Sequence, residues 1–149
     1  MKSNKIKLFM IIIALIAIVS GVFYLTSRED VPEDSILITY QDKEIVVDLD
    51  KLTYEYVKGE RVNGKGETKV VEGDGIEISK LLSQYDIDTY TEVTVEAQDA
   101  YQASISFAEV QEAGRAYLLK QEESGVRLIV FKDENSKRSV SDIVKVIVE

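Results

Sequence analysis

Cysteine, histidine and tryptophan are absent from this sequence of 149 residues, and proline occurs once. Without cysteine the chain can form no disulfide, no thiolate nucleophile and no cysteine-ligated zinc, iron–sulfur or molybdenum site. Without histidine it has no Ser-His-Asp triad and no side chain whose unperturbed pKa lies near neutrality. The catalytic groups that remain are carboxylates, Lys, Arg, Tyr, Ser and Thr. This composition favours a binding, scaffolding or sensing module over an enzyme, and we predict no catalytic residue and no metal site.

A long uncharged segment lies near the amino terminus. Leu8 to Leu25 comprises 18 residues without a charge, which in a helix would extend about 27 Å, close to the hydrocarbon thickness of a bilayer. Three lysines precede it, and basic flanks remain on the cytoplasmic side of a membrane. We therefore predict a cytoplasmic basic tip and transmembrane anchor over 1–27, which contacts the lipid bilayer through 8–25. The rest of the chain is expected to be extracytoplasmic, as in a single-pass protein of the cell membrane.

A cleaved signal peptide is the alternative interpretation, since it shares the basic start. Against it, the apolar run is longer than the usual core of a signal peptide and no Ala-x-Ala pattern follows it. The next segment, 28–35, is polar and contains the only proline, so it is interpreted as a linker. A single domain is expected over 36–149.

The chain beyond the anchor is strongly acidic. Residues 1–27 contain three of the 18 basic residues and none of the 27 acidic residues. The rest of the chain therefore has 15 basic and 27 acidic residues, a net charge of −12. Such a surface repels phosphate backbones, so nucleic-acid binding is not expected. We interpret the charge as a means of solubility, with an acidic docking patch as the alternative.

Alternating apolar and polar residues predict that the domain is mostly strands. Ile76 to Tyr85 has near-helical spacing, and Ser106 with Glu109 matches a capping box. Short helices are therefore expected over 77–85 and 107–113. The predicted strands cover 36–40, 44–49, 53–62, 67–71, 91–97, 101–106, 116–120, 126–131 and 140–148, with a break at Glu72-Gly73-Asp74-Gly75. This order indicates an α+β fold, a β-rich mixed-sheet domain with two short helices.

Residues 67–148 resemble the small oxidoreductase molybdopterin-binding domains of the sulfite oxidase type. Four segments carry the resemblance, in the order found in that family. They are ETKVVEGDGIEISKLLSQYDID, TEVTVEAQDAYQASISFAEV, AYLLKQEESGVRLIVFKDENSKRSV and SVSDIVKVIVE. The resemblance implies the family fold, with a pterin site that includes a basic segment before the final strand.

The departures from the family lie in its cofactor-binding residues. Its enzymes hold molybdenum through one cysteine and the pterin through His, Arg, Asn and Lys, and this chain has neither cysteine nor histidine. The family's Arg-Ser-Val-Lys-Trp stands here as Arg138-Ser139-Val140-Ser141-Asp142. The resemblance thus implies the fold without its redox centre, in a non-catalytic module that binds a protein partner or a small ligand. The alternative is a molybdopterin-dependent oxidoreductase or electron-transfer accessory that holds its cofactor without Cys or His.

Four residues are the candidate anion- or cofactor-binding positions: Arg138, Lys137, Ser139 and Tyr101. Lys137 and Arg138 are the only adjacent basic pair outside the anchor region. They could bind an anion beside the Ser139 backbone, but the simpler interpretation is that they are two solvated charges in a turn. Tyr101 follows Asp99 in the turn that resembles the family's. It could line a pocket or simply stabilise the turn.

Two other patterns have competing interpretations. Tyr54 and Tyr56 alternate to one face and could form an exposed aromatic ledge for a partner, although core packing is the commoner role of such tyrosines. Asp133-Glu134-Asn135 could attract calcium, but it lacks the spacing and glycine of an EF-hand loop. We interpret that acidic segment as a solvated turn.

Overall fold

The computed structural model describes residues 10–19, 32, 34–134 and 136–149. The chain divides into two compact units, Met1–Asp30 and Val31–Glu149. In the first unit, residues 10–19 form a helix, α1, whose side chains are exposed. Within the described ranges, no helix is both long enough and apolar enough to cross a membrane. Of the predicted tip and anchor over 1–27, only 10–19 lie within the described residues, and of the predicted linker over 28–35 only 32, 34 and 35 do.

The second unit is an α+β domain with mixed sheets and few short helices, as the sequence predicts. Its elements follow the expected order. The strands are β1 (Ser35–Tyr40), β2 (Lys43–Asp48), β3 (Glu55–Val62), β4 (Thr68–Glu77), β5 (Glu92–Ala97), β6 (Gln102–Ser106), β7 (Ala116–Lys120), β8 (Val126–Val130) and β9 (Ile143–Val148). The helices are α2 (Ile78–Ser83) and α3 (Phe107–Gln111), with 3-10 turns η1 (Leu49–Lys51) and η2 (Ser136–Arg138).

The strands form two sheets. The first has the order β2-β1-β9-β5-β6 and is mixed, because β1 runs parallel to β9 while its other pairs are antiparallel. The second has the order β3-β4-β7-β8 and is antiparallel. The chain that follows β8 returns to β3, where the Lys132 N–H donates to the Glu60 carbonyl at 2.9 Å. The Val62 N–H donates in turn to the Asp133 carbonyl at 3.4 Å, so this segment joins the two edges of the second sheet.

The main core combines side chains from both sheets and from α2. Period-two alternation buries Val93 and Val95 on one face of β5, as the sequence predicts, while α2 contributes Leu81 and Leu82. All four side chains are fully buried. Burial of a complete aliphatic side chain stabilises the fold by roughly 1.5–3 kcal/mol, so this core supplies the stability that a domain without disulfides requires.

A second, smaller cluster contains Leu119, Ile129 and Phe131. It depends on a glycine in β3, because a Cβ atom at Gly59 would lie 2.4 Å from the Phe131 ring carbon Cδ1. The ring therefore packs directly on the Gly59 backbone. This close approach explains the glycine in an otherwise β-favouring strand.

Two predicted boundaries differ from the structure by three residues or more. The strand does not break at Glu72-Gly73-Asp74-Gly75, since β4 continues to Glu77 and pairs with both β3 and β7. A side chain at Gly75 would lie 3.1 Å from Leu119, so the glycine permits close packing there and does not end the strand. β9 begins at Ile143 and not at Val140, which makes only an isolated bridge to Leu128.

Candidate functional site

The candidate site lies where the β5–β6 turn faces the segment between η2 and β9. A cleft of about 440 Å³ opens here, which we call the Tyr101 cleft. Its lining residues are Ala97, Gln98, Asp99, Tyr101, Ser139, Val140, Ser141 and Asp142. Two of the four residues predicted as binding positions, Tyr101 and Ser139, therefore line one cleft although 38 positions separate them in the sequence.

Tyr101 is held in place at both ends. Its backbone N–H donates to the Asp99 carboxylate at 3.1 Å, and its hydroxyl donates to the Lys137 carbonyl at 2.7 Å. The residue is nonetheless 46% exposed, so the side chain remains partly accessible to a ligand. Tyr101 therefore has both of the roles proposed for it from the sequence: it stabilises the turn and it lines the cleft.

Asp142 fixes the opposite wall. Its backbone carbonyl accepts from the Gln98 N–H at 2.9 Å, which ties the two walls together. The Gln121 side chain contacts Asp142 twice, accepting from its N–H at 2.9 Å and donating to its carboxylate at 3.2 Å. Asp142 has a positive φ of 53°, as does Ala100 in the facing turn at 67°. Both backbones are in a region that costs non-glycine residues energy, and these hydrogen bonds help to hold Asp142 there.

Arg138 turns its charge away from the cleft and into an ionic cluster. Its guanidinium binds Asp133 through two hydrogen bonds of 2.9 and 2.7 Å, and Glu109 through contacts of 3.0 and 2.8 Å. Arg115 approaches Glu109 at 3.6 Å from the other side. We call these four residues the Arg138 cluster. The interpretation of Arg138 and Asp133 as solvated charges is wrong, because Asp133 is only 7% exposed and Arg138 is half-buried against it.

Glu109 belongs to the cluster because of the capping box. Its carboxylate accepts from the Ser106 N–H at 3.1 Å at the start of α3, as the sequence predicts. Hydrogen bonding to Arg138 lowers the pKa of Glu109 to about 2, although partial burial opposes the shift. The two carboxylates in turn raise the pKa of Arg138, Asp133 having the larger effect. Sequence inspection finds the cap but not its second partner, since Arg138 lies 29 positions away.

The lining of the Tyr101 cleft is acidic. It includes Asp99 and Asp142 and, among the residues that the structure describes there, no cation. Lys137 lies beside the cleft and contributes its backbone carbonyl, the acceptor of the Tyr101 hydroxyl. The four predicted residues are therefore neighbours, but they do not present a basic surface.

Tyr54 and Tyr56 do not form the aromatic ledge that the sequence left open. Tyr56 is 66% exposed, whereas Tyr54 packs partly against the main core and donates its hydroxyl to the Leu49 carbonyl at 2.9 Å. Burial, with the nearby Asp50 and Asp48, raises the pKa of Tyr54 to about 12. Tyr54 therefore has the commoner role, packing against the core, and only Tyr56 of the two is an exposed ring.

The fold and the site together define an α+β domain with an open acidic cleft at one end of its mixed sheet. No family model matches the chain, and no curated protein is significantly similar to it. In the described part of the chain, no three acidic side chains are grouped so as to hold a metal ion.

Proposed function

We propose that this is a membrane-anchored protein whose extracytoplasmic domain is a non-catalytic binding module, a degenerate relative of the sulfite-oxidase-type molybdopterin-binding domains. One observation carries the proposal. Arg138, the residue that matches the family's basic segment, is neutralised by Asp133 and Glu109. The residue that would bind an anion has become part of the protein's own scaffold.

The residues present do not fit a molybdopterin. The cofactor carries a phosphate, and an anion of this kind needs cations or backbone N–H groups directed toward it. The Tyr101 cleft instead presents Asp99 and Asp142. A phosphate there would lie close to two negative charges, and the guanidinium of Arg138 is already engaged by Asp133 and Glu109. The alternative function, a pterin-holding oxidoreductase or accessory, has no support in this lining.

The same lining suits a neutral or cationic group. The two carboxylates can accept hydrogen bonds, and the partly exposed Tyr101 ring can contact a cation. Ser139 and Ser141 add hydroxyl groups to the lining. We therefore propose that the module binds a partner group of this character, in a protein or a small ligand.

Cofactor content tests the proposal directly. Full-length protein purified from its own membrane should contain neither molybdenum nor pterin by metal analysis and by fluorescence of the oxidised pterin. The matched sample is the variant Ser141→Lys, which restores in the lining the cation of the family's basic segment. Stoichiometric molybdopterin in the unmodified protein would overturn the proposal.

Membrane topology is tested separately, and the absence of cysteine makes the experiment clean. Single cysteines replace Ser3 or the exposed Ser124, and intact cells are treated with a membrane-impermeant maleimide. We expect labelling of Ser124→Cys, and labelling of Ser3→Cys only after lysis. Equal labelling of both variants in intact cells would contradict the proposed orientation.

A further inference from the structure

Arg127 is a half-buried arginine without an internal partner. It lies on β8 opposite Leu119 of the second sheet. Its guanidinium makes no hydrogen bond and no ion pair with any residue that the structure describes. Its nitrogens are not among the buried side-chain atoms that lack a hydrogen-bond partner, so the charged group reaches solvent. An accessible guanidinium without an internal partner is available to an anionic group of a ligand.

Arg127 lines a second cleft of about 610 Å³, which we call the Arg127 cleft. The lining residues are Glu72, Gly73, Lys120, Gln121, Glu122, Glu123, Ser124, Arg127, Ser141 and Asp142. It shares Ser141 and Asp142 with the Tyr101 cleft, but its remaining residues come from β4 and the β7–β8 hairpin.

Several of the charged groups in the Arg127 cleft already have partners. Glu72 pairs with Lys58 at 2.9 Å, and the Asp142 carboxylate accepts from Gln121. The Lys120 ammonium lies 3.7 Å from Asp50 and 4.7 Å from the centre of the Tyr54 ring. These contacts engage Glu72, Asp142 and Lys120 within the protein.

Three charged side chains of the cleft remain without such contacts. They are Arg127 and, at the tip of the β7–β8 hairpin, the exposed Glu122 and Glu123, which form no ion pair within the described residues. The cleft thus offers one half-buried cation and two exposed carboxylates. Guanidinium is a planar fork that matches a carboxylate with two parallel hydrogen bonds, whereas the rim carboxylates suit an ammonium group.

We propose that the Arg127 cleft binds a zwitterion of the amino-acid class. The ligand's carboxylate pairs with Arg127, and its ammonium groups face Glu122 and Glu123. A phosphate is disfavoured because the unpaired carboxylates of Glu122 and Glu123 repel a multiply charged anion beside Arg127. The inference goes beyond the proposed function, since it assigns a ligand class to a different cleft and does not depend on the loss of the pterin.

L-lysine is the probe, because it combines one carboxylate with two ammonium groups. Titration of the full-length protein, followed by calorimetry, should show saturable binding. Arg127→Gln should weaken binding roughly tenfold or more, since it removes a charge-assisted bidentate contact. Arg127→Lys keeps the charge without the fork and should give an intermediate affinity. The double variant Glu122→Gln/Glu123→Gln should weaken binding several-fold.

Arg61→Gln is the matched control. Arg61 is also a half-buried arginine of the second sheet and has no ion pair among the described residues, but it lies outside the clefts described here. Its replacement should leave L-lysine binding unchanged. L-lysinamide, which lacks the carboxylate, should bind at least tenfold more weakly than L-lysine.

The proposal is overturned by any of four results. They are absence of saturable L-lysine binding, equal affinity in an Arg127→Gln variant with unchanged circular dichroism, equal affinity for L-lysinamide, and tighter binding of inorganic phosphate. None of them bears on molybdopterin content, so failure here is distinguishable from failure of the proposed function.

Discussion

Arg138 and Arg127 are half-buried arginines of one domain with opposite surroundings. Arg138 binds Asp133 and Glu109 with four contacts of 3.0 Å or less, whereas Arg127 has no partner among the described residues. The first arginine joins η2 to the start of α3. The second lines an open cleft. Arg138, which matches a family motif, therefore has a structural role. Arg127, which belongs to no motif, is the better candidate for binding a ligand.

Removal of the Arg138 side-chain charge should produce the largest effect. In Arg138→Gln, the buried Asp133 loses its two charge-assisted hydrogen bonds. Glu109 keeps its contacts with Ser106 and the more distant Arg115. We expect a loss of roughly 2–4 kcal/mol in the free energy of unfolding, measured with urea. Lys132→Gln is the control, because it removes the same charge from an exposed side chain nearby. Equal stability of the two variants would show that the Arg138 cluster contributes nothing.

Acid should weaken the same cluster through Glu109. Its pKa is about 2 in the folded protein, against an ordinary value of 4.5. The ionised Glu109 carboxylate therefore stabilises the folded state fully above pH 4.5. This stabilisation is lost as the carboxylate is protonated, when the pH falls toward 2. After allowance for solvent screening we expect a loss of about 1–3 kcal/mol, measured as unfolding free energy between pH 6 and 2.5. Glu109→Gln should lose less over this range, and parallel curves for the two proteins would contradict the assignment.

Tyr101→Phe should have a smaller effect. The change removes the hydroxyl that donates to the Lys137 carbonyl at 2.7 Å and leaves the ring in place. We expect about 0.5–1.5 kcal/mol of destabilisation in the same urea experiment. Tyr56→Phe is a suitable comparison, because the Tyr56 hydroxyl interacts with Glu72 on a residue that is 66% exposed, where a hydrogen bond contributes little. A larger loss at Tyr56 than at Tyr101 would mean that the Tyr101 hydroxyl does not hold η2.

Arg127→Gln should change stability least, by no more than about 0.5 kcal/mol, because no internal contact is lost. A slight gain is consistent with relief of an unpaired charge. Urea unfolding without added ligand checks this outcome. A loss comparable to that of Arg138→Gln would remove the contrast between the two arginines.

Local patterns in the sequence predict most of the fold. The strands and helices follow the expected order, and the capping box begins α3 as expected. These features depend on residues that are close together in the sequence, so local patterns predict them. The strand break predicted at Glu72-Gly73-Asp74-Gly75 is wrong for a tertiary reason. β7 pairs with β4 at Gly75, and the missing side chain lets Leu119 pack closely there, so the strand continues.

The candidate site is predicted less completely. The sequence identifies Tyr101, Lys137, Arg138 and Ser139, and the structure brings them together. It does not reveal that Arg138 is engaged by Glu109, because that contact spans 29 positions and no local pattern specifies it. Arg127 has no distinguishing neighbours in the sequence, and only its half-burial in a cleft marks it.

The amino-acid sequence by itself determines the chemistry that this protein lacks, the acidic charge of the domain and the order of its strands and helices. Composition and short-range periodicity suffice for these properties. Tertiary structure decides which charges are neutralised, since pairing within the fold depends on contacts between residues far apart in the chain. It is therefore the packing of η2 against α3, and of the β7–β8 hairpin beside Asp142, that separates the structural arginine from the one available for binding.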